Sequence, residues 1–250
     1  MDLAGSKMGY KEIAEELRAR IERGLYRPGD LIPSESEVMT EFSAGRETVT
    51  KALRLLRDQG LTVGAQGKPA TVRDFKPIRR HANERLSREV WGAGTSMWSV
   101  DVRNAKPKVA GLVVESLEAS ARVAEALGVS RGQAVLRRRR HYVLDGRPVL
   151  MSDSYIPLDL AEGTPIVDAD TGEGGIYKRL EEIGHGPVRF KEEVRVRMPN
   201  SRELAVMKLG PGTPVACVVR TAFEESGRAV EVNEMTLDGG SYILDYVIDA

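Results

Sequence analysis

The chain has one cysteine in 250 residues, Cys217, so no disulfide can form within it. That suits a reducing compartment. Its setting, Val215-Ala216-Cys217-Val218-Val219, reads as a small buried hydrophobe rather than a reactive thiol. Apolar runs are short, none approaching the roughly 18 residues that a membrane-spanning helix needs. Met1 to Met8 lacks the apolar core of a secretory leader, so the expected location is the cytoplasm. Histidine is scarce: His81, His141 and His185 stand far apart and make no metal-ligand spacing. No Ser/His/Asp or Cys/His arrangement can be argued, and no nucleotide fingerprint occurs. These gaps leave no catalytic residue, metal or cofactor to name, and place an enzyme behind a binding protein. An excess of one charge sign is also missing, since 37 basic residues offset 37 acidic ones.

What is present describes a globular protein. Hydrophobic residues make up 41% and charged residues 30%, and the length allows two domains with separate cores. Basic charge is concentrated locally: Arg46, Lys51, Arg54 and Arg57 face Glu47 alone over residues 46–57, and 76–108 holds eight cations against three anions. Local cations matter more than the total for attraction to a polyanion.

The first seventy residues alternate helical stripes with turn signals. Ile13, Ala14, Leu17 and Ile21 recur at helical spacing, and Gly24 with Pro28-Gly29-Asp30 ends that helix. Ser34 stands three residues before Glu37, a capping-box spacing that starts a second helix burying Val38, Met39 and Phe42. Gly45 opens a third, with Val49, Ala52, Leu53 and Leu56 on its core face, and Gly60 stops it. Leu61-Thr62-Val63 and Ala70-Thr71-Val72 read as two short strands joined through Gln66-Gly67-Lys68. The sum is a winged helix-turn-helix.

Pro28-Gly29-Asp30, Pro33-Ser34-Glu35, Arg46-x-Thr48-Val49 and Ala52-Leu53-x-x-Leu56 together resemble the DNA-binding domain of the GntR family of bacterial repressors. The resemblance implies that the start of the third helix reads the major groove and that the wing tip enters the minor groove. Arg46 is then the main contact, its planar fork suited to guanine or phosphate. Thr48, Thr50 and Lys51 join it, with Ser34, Ser36 and Glu47 beside them and Gly67 and Lys68 at the wing. Ser36, Gly45, Gly64 and Ala65 depart from the family pattern and predict an altered operator preference or weaker binding.

Lys76-Pro77-Ile78-Arg79-Arg80-His81 combines proline with dense charge and marks the junction. The expected domains are 1–75 and 89–250, with 76–88 as linker. The second domain is internally duplicated. Ser120 to Leu127-Gly128, then Gly132, Val135, Arg140 and Gly146-Arg147-Pro148-Val149, is echoed by Ser201 to Leu209-Gly210, then Gly212, Val215, Arg220 and Gly227-Arg228-Ala229-Val230. Each copy reads as a helix and a hairpin, turning at Asp145-Gly146 or Ser226-Gly227. Two copies predict one antiparallel sheet with pseudo-twofold symmetry and helices on one face, so the class is α+β.

Arg137-Arg138-Arg139-Arg140 lies on a strand, so two members face one side and two the other. An inward one needs a partner, either a carboxylate such as Glu231 or Asp153, or an anionic ligand. Sequence leaves the hairpin register open, because a bulge would shift every pair.

Leu127-Gly128, Asp145-Gly146-Arg147-Pro148, Ser154-Tyr155-Ile156-Pro157, Gly175-Ile176-Tyr177 and Gly227-Arg228-x-Val230-Glu231 look like the UTRA effector-binding domain of the HutC branch of the same family. That implies a six-stranded antiparallel sheet of the chorismate-lyase kind, dimerisation through this domain and a small-molecule effector. Carried over by position, Arg140 and Glu231 contact the effector, and Ser152, Ser154, Tyr177 and Leu237 are further candidates. Tyr142 and Ser152 stand where relatives that bind phosphorylated sugars often have Arg and an acidic residue, which argues against such an effector. The glycine-rich Thr171 to Gly175 either cradles an anion or only makes a turn, and Trp91 and Trp98 either fill the core or lid the pocket.

The chain is therefore expected to be a DNA-binding transcriptional repressor, a homodimer on an inverted-repeat operator, released or retained by an effector. A repressor without a ligand and a lyase-like enzyme with an accessory DNA-binding domain remain as alternatives.

Overall fold

The computed structural model describes residues 8–64, 70–74, 77–94, 97–102, 108–144 and 146–248. Gly67 and Lys68, expected at the wing tip, and the turn residue Asp145 lie outside the described residues. The chain divides into two compact units, Met1–Lys76 with Leu209–Thr213, and Pro77–Lys208 with Pro214–Ala250.

In the first unit, α1 (Tyr10–Glu22), α2 (Glu35–Glu41) and α3 (Arg46–Asp58) precede the two-residue strands β1 (Thr62–Val63) and β2 (Thr71–Val72), which pair antiparallel. Ser34 caps α2 by accepting from the Glu37 N–H, and the Glu37 carboxylate accepts the Ser34 N–H at 2.8 Å, closing the expected box. Gly45 is the cap of α3. Ile13, Leu17, Val38, Val49, Ala52 and Leu56 form the core, with Met39, Phe42 and Leu53 half-buried against it. Because Leu17 and Leu56 are fully enclosed, truncating either to Ala costs roughly 2–5 kcal/mol.

The second unit opens with β3 (Ile78–His81), α4 (Ala82–Leu86), α5 (Arg88–Gly92) and α6 (Met97–Asp101). Residues 77–88 of the stretch expected as linker are thus structured. Ile78 and Arg80 are buried at alternate positions of β3, where Arg80 forms a two-bond ion pair with Glu192. That partner lies 112 residues away in sequence, so the charge-rich stretch reads from sequence as a linker. Then follow β4 (Lys108–Glu118), α7 (Ala121–Leu127), β5 (Ala134–Leu144), β6 (Arg147–Pro157), α8 (Leu158–Ala161), a 3-10 turn at Pro165–Val167, α9 (Gly175–Glu182), β7 (Arg189–Arg197), α10 (Ser201–Met207), β8 (Val215–Phe223), β9 (Ala229–Asp238) and β10 (Tyr242–Asp245). β10 pairs parallel with β3.

Six strands make one antiparallel sheet in the order β4-β5-β6-β9-β8-β7. The order is palindromic about β6 and β9, in keeping with the duplication. α7 packs on β9 and α10 on β6, so each copy's helix rests on the other copy's strand. The expectation that helices cover a single face is corrected. Val123, Leu127, Val135 and Val232 pack together with α7 on one face, while Leu136, Ile156 and Val230 pack with Ile176, Leu180 and Trp91 on the other. Adjacent residues of β5, Val135 and Leu136, are both buried, because the strand is covered on both sides.

Candidate DNA-reading surface and effector cavity

The N-terminal turns of α3 present a polar face. Arg46, Glu47, Thr50 and Lys51 are exposed and Thr48 is half-buried. The Arg46 side chain is 81% exposed, and its Nε lies 3.5 Å from a Glu35 oxygen. Thr50 Oγ1 donates to the other Glu35 oxygen at 3.2 Å. Lys51 Nζ donates to Glu47 at 2.7 Å, which raises the lysine pKa and lowers that of the carboxylate. Ser36 is exposed, and its carbonyl accepts the Thr40 hydroxyl. Ser34 is occupied by capping. A helix start with free donors beside a guanidinium can meet phosphate oxygens or base edges in a groove about 12 Å wide.

The second unit encloses a cavity of about 740 Å³ on the face of the sheet that carries Arg138, Arg140, Ser152, Arg220, Glu231 and Asn233. The alternation expected for the arginine run holds. Arg138 and Arg140 line the cavity, while Arg139 pairs with Asp153 at 2.8 and 3.0 Å on the opposite face. The register matches Arg140 with Ser152 and Arg139 with Asp153, and a shift falls between Tyr142 and Val143.

Neither carboxylate weighed for an inward arginine serves one: Asp153 pairs with Arg139 on the opposite face, and Glu231 is engaged elsewhere. Glu231, 1% exposed, accepts from Ser154 Oγ at 2.7 Å, Tyr177 OH at 2.5 Å and Arg220 Nη2 at 3.3 Å. Burial pushes the Tyr177 hydroxyl well above its usual pKa, so it stays a donor. Arg138 finds backbone instead of carboxylate. Its guanidinium donates to the carbonyls of Ile166, Asp168 and Ala169, which lead into the glycine-rich loop. Burial, with Arg140 nearby, pushes its pKa down to about 10. Arg140 has no hydrogen-bond partner among the described residues; its guanidinium sits 5.6 Å from the centre of the Tyr142 ring. Ser152 Oγ donates to Asn233 Oδ1 at 2.9 Å. Leu237 is core and does not line the cavity.

Gly172, Gly174 and Gly175 adopt positive φ and, with Asp170, Thr171 and Glu173, wall the cavity. Both tryptophans are buried, and Trp98 also lines the cavity, tilted 53° against Tyr142 at 4.5 Å. Arg85 lines it too, facing Asp101 at 3.2 Å, and burial lowers its pKa to about 10. Glu35, Arg85 and Arg220 belong to these sites without having been named for them from sequence, whereas sequence raises Trp98 and the run containing Arg138 as candidates. Only Arg220 had a usable signal, the duplication that makes it the counterpart of Arg140.

Residues 9–72 match the family of bacterial regulatory proteins described as gntR, and residues 102–242 match the UTRA domain. The chain is 29% identical to an HTH-type transcriptional regulator of Streptomyces coelicolor, over 89% of this chain and 86% of that protein. It is 24% identical to the mannosyl-D-glycerate transport/metabolism system repressor MngR of Escherichia coli, over 95% of each. The crystal structure of PhnF from Mycobacterium smegmatis superimposes with a TM-score of 0.59 at 24% identity, over 94% of this chain and 99% of that one, which shows the shared fold.

Proposed function

Because the chain belongs to the gntR family of bacterial regulatory proteins and carries a UTRA domain, we propose that it represses transcription as a homodimer on an inverted-repeat operator. The chain is a DNA-binding transcriptional regulator whose second unit is an effector domain. In this reading Arg46, Thr48, Thr50 and Lys51 contact DNA, with Ser34 and Ser36 at the start of α2 beside them. A second copy places two such helices about 34 Å apart, one turn of duplex. The observation that carries the reading is the bare N-terminal face of α3, where Arg46 is exposed yet tethered by Glu35.

In the cavity, Arg140 and Ser152 contact the effector, and Glu231, Ser154 and Tyr177 form the polar set beside them. A ligand-independent repressor would be favoured by Arg140 closed onto Glu231. Glu231 is engaged elsewhere and Arg140 is open, which supports the ligand-responsive form. An effector moves operator binding only by the difference in its affinity for the two states. Arg46→Ala is expected to abolish specific retention of operator DNA in a gel shift while light scattering still reports a folded dimer. Specific retention by that variant would refute the assignment.

A further inference from the structure

The two hairpins β5–β6 and β8–β9 place equivalent residues on equivalent rungs. Arg220 faces Asn233 and Ala222 faces Glu231; in the other hairpin Arg140 faces Ser152 and Tyr142 faces Leu150. Arg140 therefore corresponds to Arg220, Ser152 to Asn233 and Leu150 to Glu231. The β8–β9 hairpin is electrostatically complete, with Arg220 against Glu231 at 3.3 Å and both side chains 2% exposed. The β5–β6 hairpin has the guanidinium without the carboxylate, because Leu150, itself buried and lining the cavity, stands in its place.

The other arginines at the cavity are committed. Arg138 is held by three carbonyls, Arg220 by Glu231 and Arg85 by Asp101. The Nε atoms of Arg85, Arg138 and Arg220 are also enclosed without a partner, but among the described residues that line the cavity Arg140 is the arginine with neither a hydrogen bond nor an ion pair. The duplication leaves the place of one carboxylate unfilled beside Arg140, and a single carboxylate on a ligand fits it. Tyr142 lies against Arg140, and Trp98, Leu150, Met97 and Met235 add apolar surface to the cavity wall. On the sheet wall few acceptors remain for sugar hydroxyls, since Glu231 already takes three hydrogen bonds and the Ser152 hydroxyl donates to Asn233; Asp170, Thr171 and Glu173 stand on the loop wall. The volume of about 740 Å³ falls within the roughly 300–1,000 Å³ typical of small-molecule sites.

We propose that the effector is a monoanionic amphiphile, a carboxylate on an aromatic or aliphatic body, whose carboxylate takes at Arg140 the place that Glu231 takes at Arg220. This rests on the ligand-responsive reading of the same cavity and names the chemistry it selects. The apolar body lies against Trp98 and Tyr142, and the carboxylate accepts from the Arg140 fork.

The test uses the full chain and three probes, 1-naphthoate, its neutral isostere 1-naphthamide and glucose 6-phosphate, with binding measured by calorimetry. The expected result is binding of naphthoate, at least tenfold stronger than either of the others, and a tenfold or greater loss in Arg140→Gln. Leu150→Glu, which supplies the missing carboxylate from the protein, is expected to exclude naphthoate. Should that variant not fold, Arg140→Gln decides alone. Equal binding of naphthamide, preference for glucose 6-phosphate, indifference to Arg140→Gln, or no binding of any probe overturns the proposal. Operator retention is read separately by gel shift. Naphthoate bound through Arg140 without any change in retention would sink the ligand-responsive reading and leave the ligand class standing. Operator release by glucose 6-phosphate would do the reverse.

Discussion

One oxygen of Glu35 lies 3.5 Å from Arg46 Nε, and the other accepts the Thr50 hydroxyl at 3.2 Å, so a single carboxylate at the start of α2 steers two side chains of α3. The pair is largely exposed, and exposed pairs add little stability. Its value lies in holding the guanidinium in one direction before DNA arrives, which lowers the ordering cost of binding. Glu35→Ala should weaken specific operator binding about three- to tenfold on that argument. Affinity for random-sequence duplex should hold or rise, because a negative charge near phosphates has been removed. Fluorescence anisotropy on both duplexes checks this, and an unchanged ratio of specific to random affinity would remove Glu35 from any positioning role.

Arg138 holds the segment that walls the cavity. Its guanidinium reaches three carbonyls, those of Ile166, Asp168 and Ala169, from a strand 28 to 31 residues earlier. Arg138→Met keeps the stem but strands buried acceptors, at roughly 1–3 kcal/mol for each left unsatisfied, offset in part by no longer burying a charge. The expected outcome is a lower melting temperature and faster limited proteolysis between Gly163 and Gly175. Arg138→Lys should not restore protection, because an ammonium cannot span the same fork. Wild-type cleavage rates in Arg138→Met would show that the loop stands without this support.

Much of the architecture is legible in sequence because local signals repeat the same message. Ile13 and Leu17 at helical spacing, the Ser34–Glu37 box and Gly45 before α3 are short-range features, and each appears where spacing puts it. The duplication foretells a pseudo-twofold sheet, and the observed order β4-β5-β6-β9-β8-β7 reads the same from either edge. What is hidden depends on contacts distant in sequence. Arg80 in the supposed linker is buried only because Glu192 meets it. Arg138 reads as needing an acid, yet backbone carbonyls from a 3-10 turn serve it. The pairing of Glu231 with Arg220 depends on a register shift between Ala222 and Phe223, which no alternation pattern reveals.

Asp101 faces Arg85 Nε at 3.2 Å, and burial nevertheless pushes its carboxyl up to about 6. The buried neighbours Arg80 and Arg85, together with His81, pull the other way without prevailing, while Glu192 adds to the rise. In an unfolded chain an aspartate titrates near pH 4. Between about pH 4 and 6 the folded state therefore binds more protons than the unfolded state, and stability falls as pH rises through that window. The contribution is fully present below about pH 4 and gone above the folded value. Asp101→Asn removes the titration while keeping the shape. The unfolding free energy of the natural chain minus that of the variant should decline from pH 4 to 6, by at most about 3 kcal/mol at 1.36 kcal/mol per unit, and then level off. Urea denaturation at pH 4, 5, 6 and 7 measures it. A difference that climbs with pH would mean that the arginines outweigh burial at Asp101, reversing the sign of its charge balance.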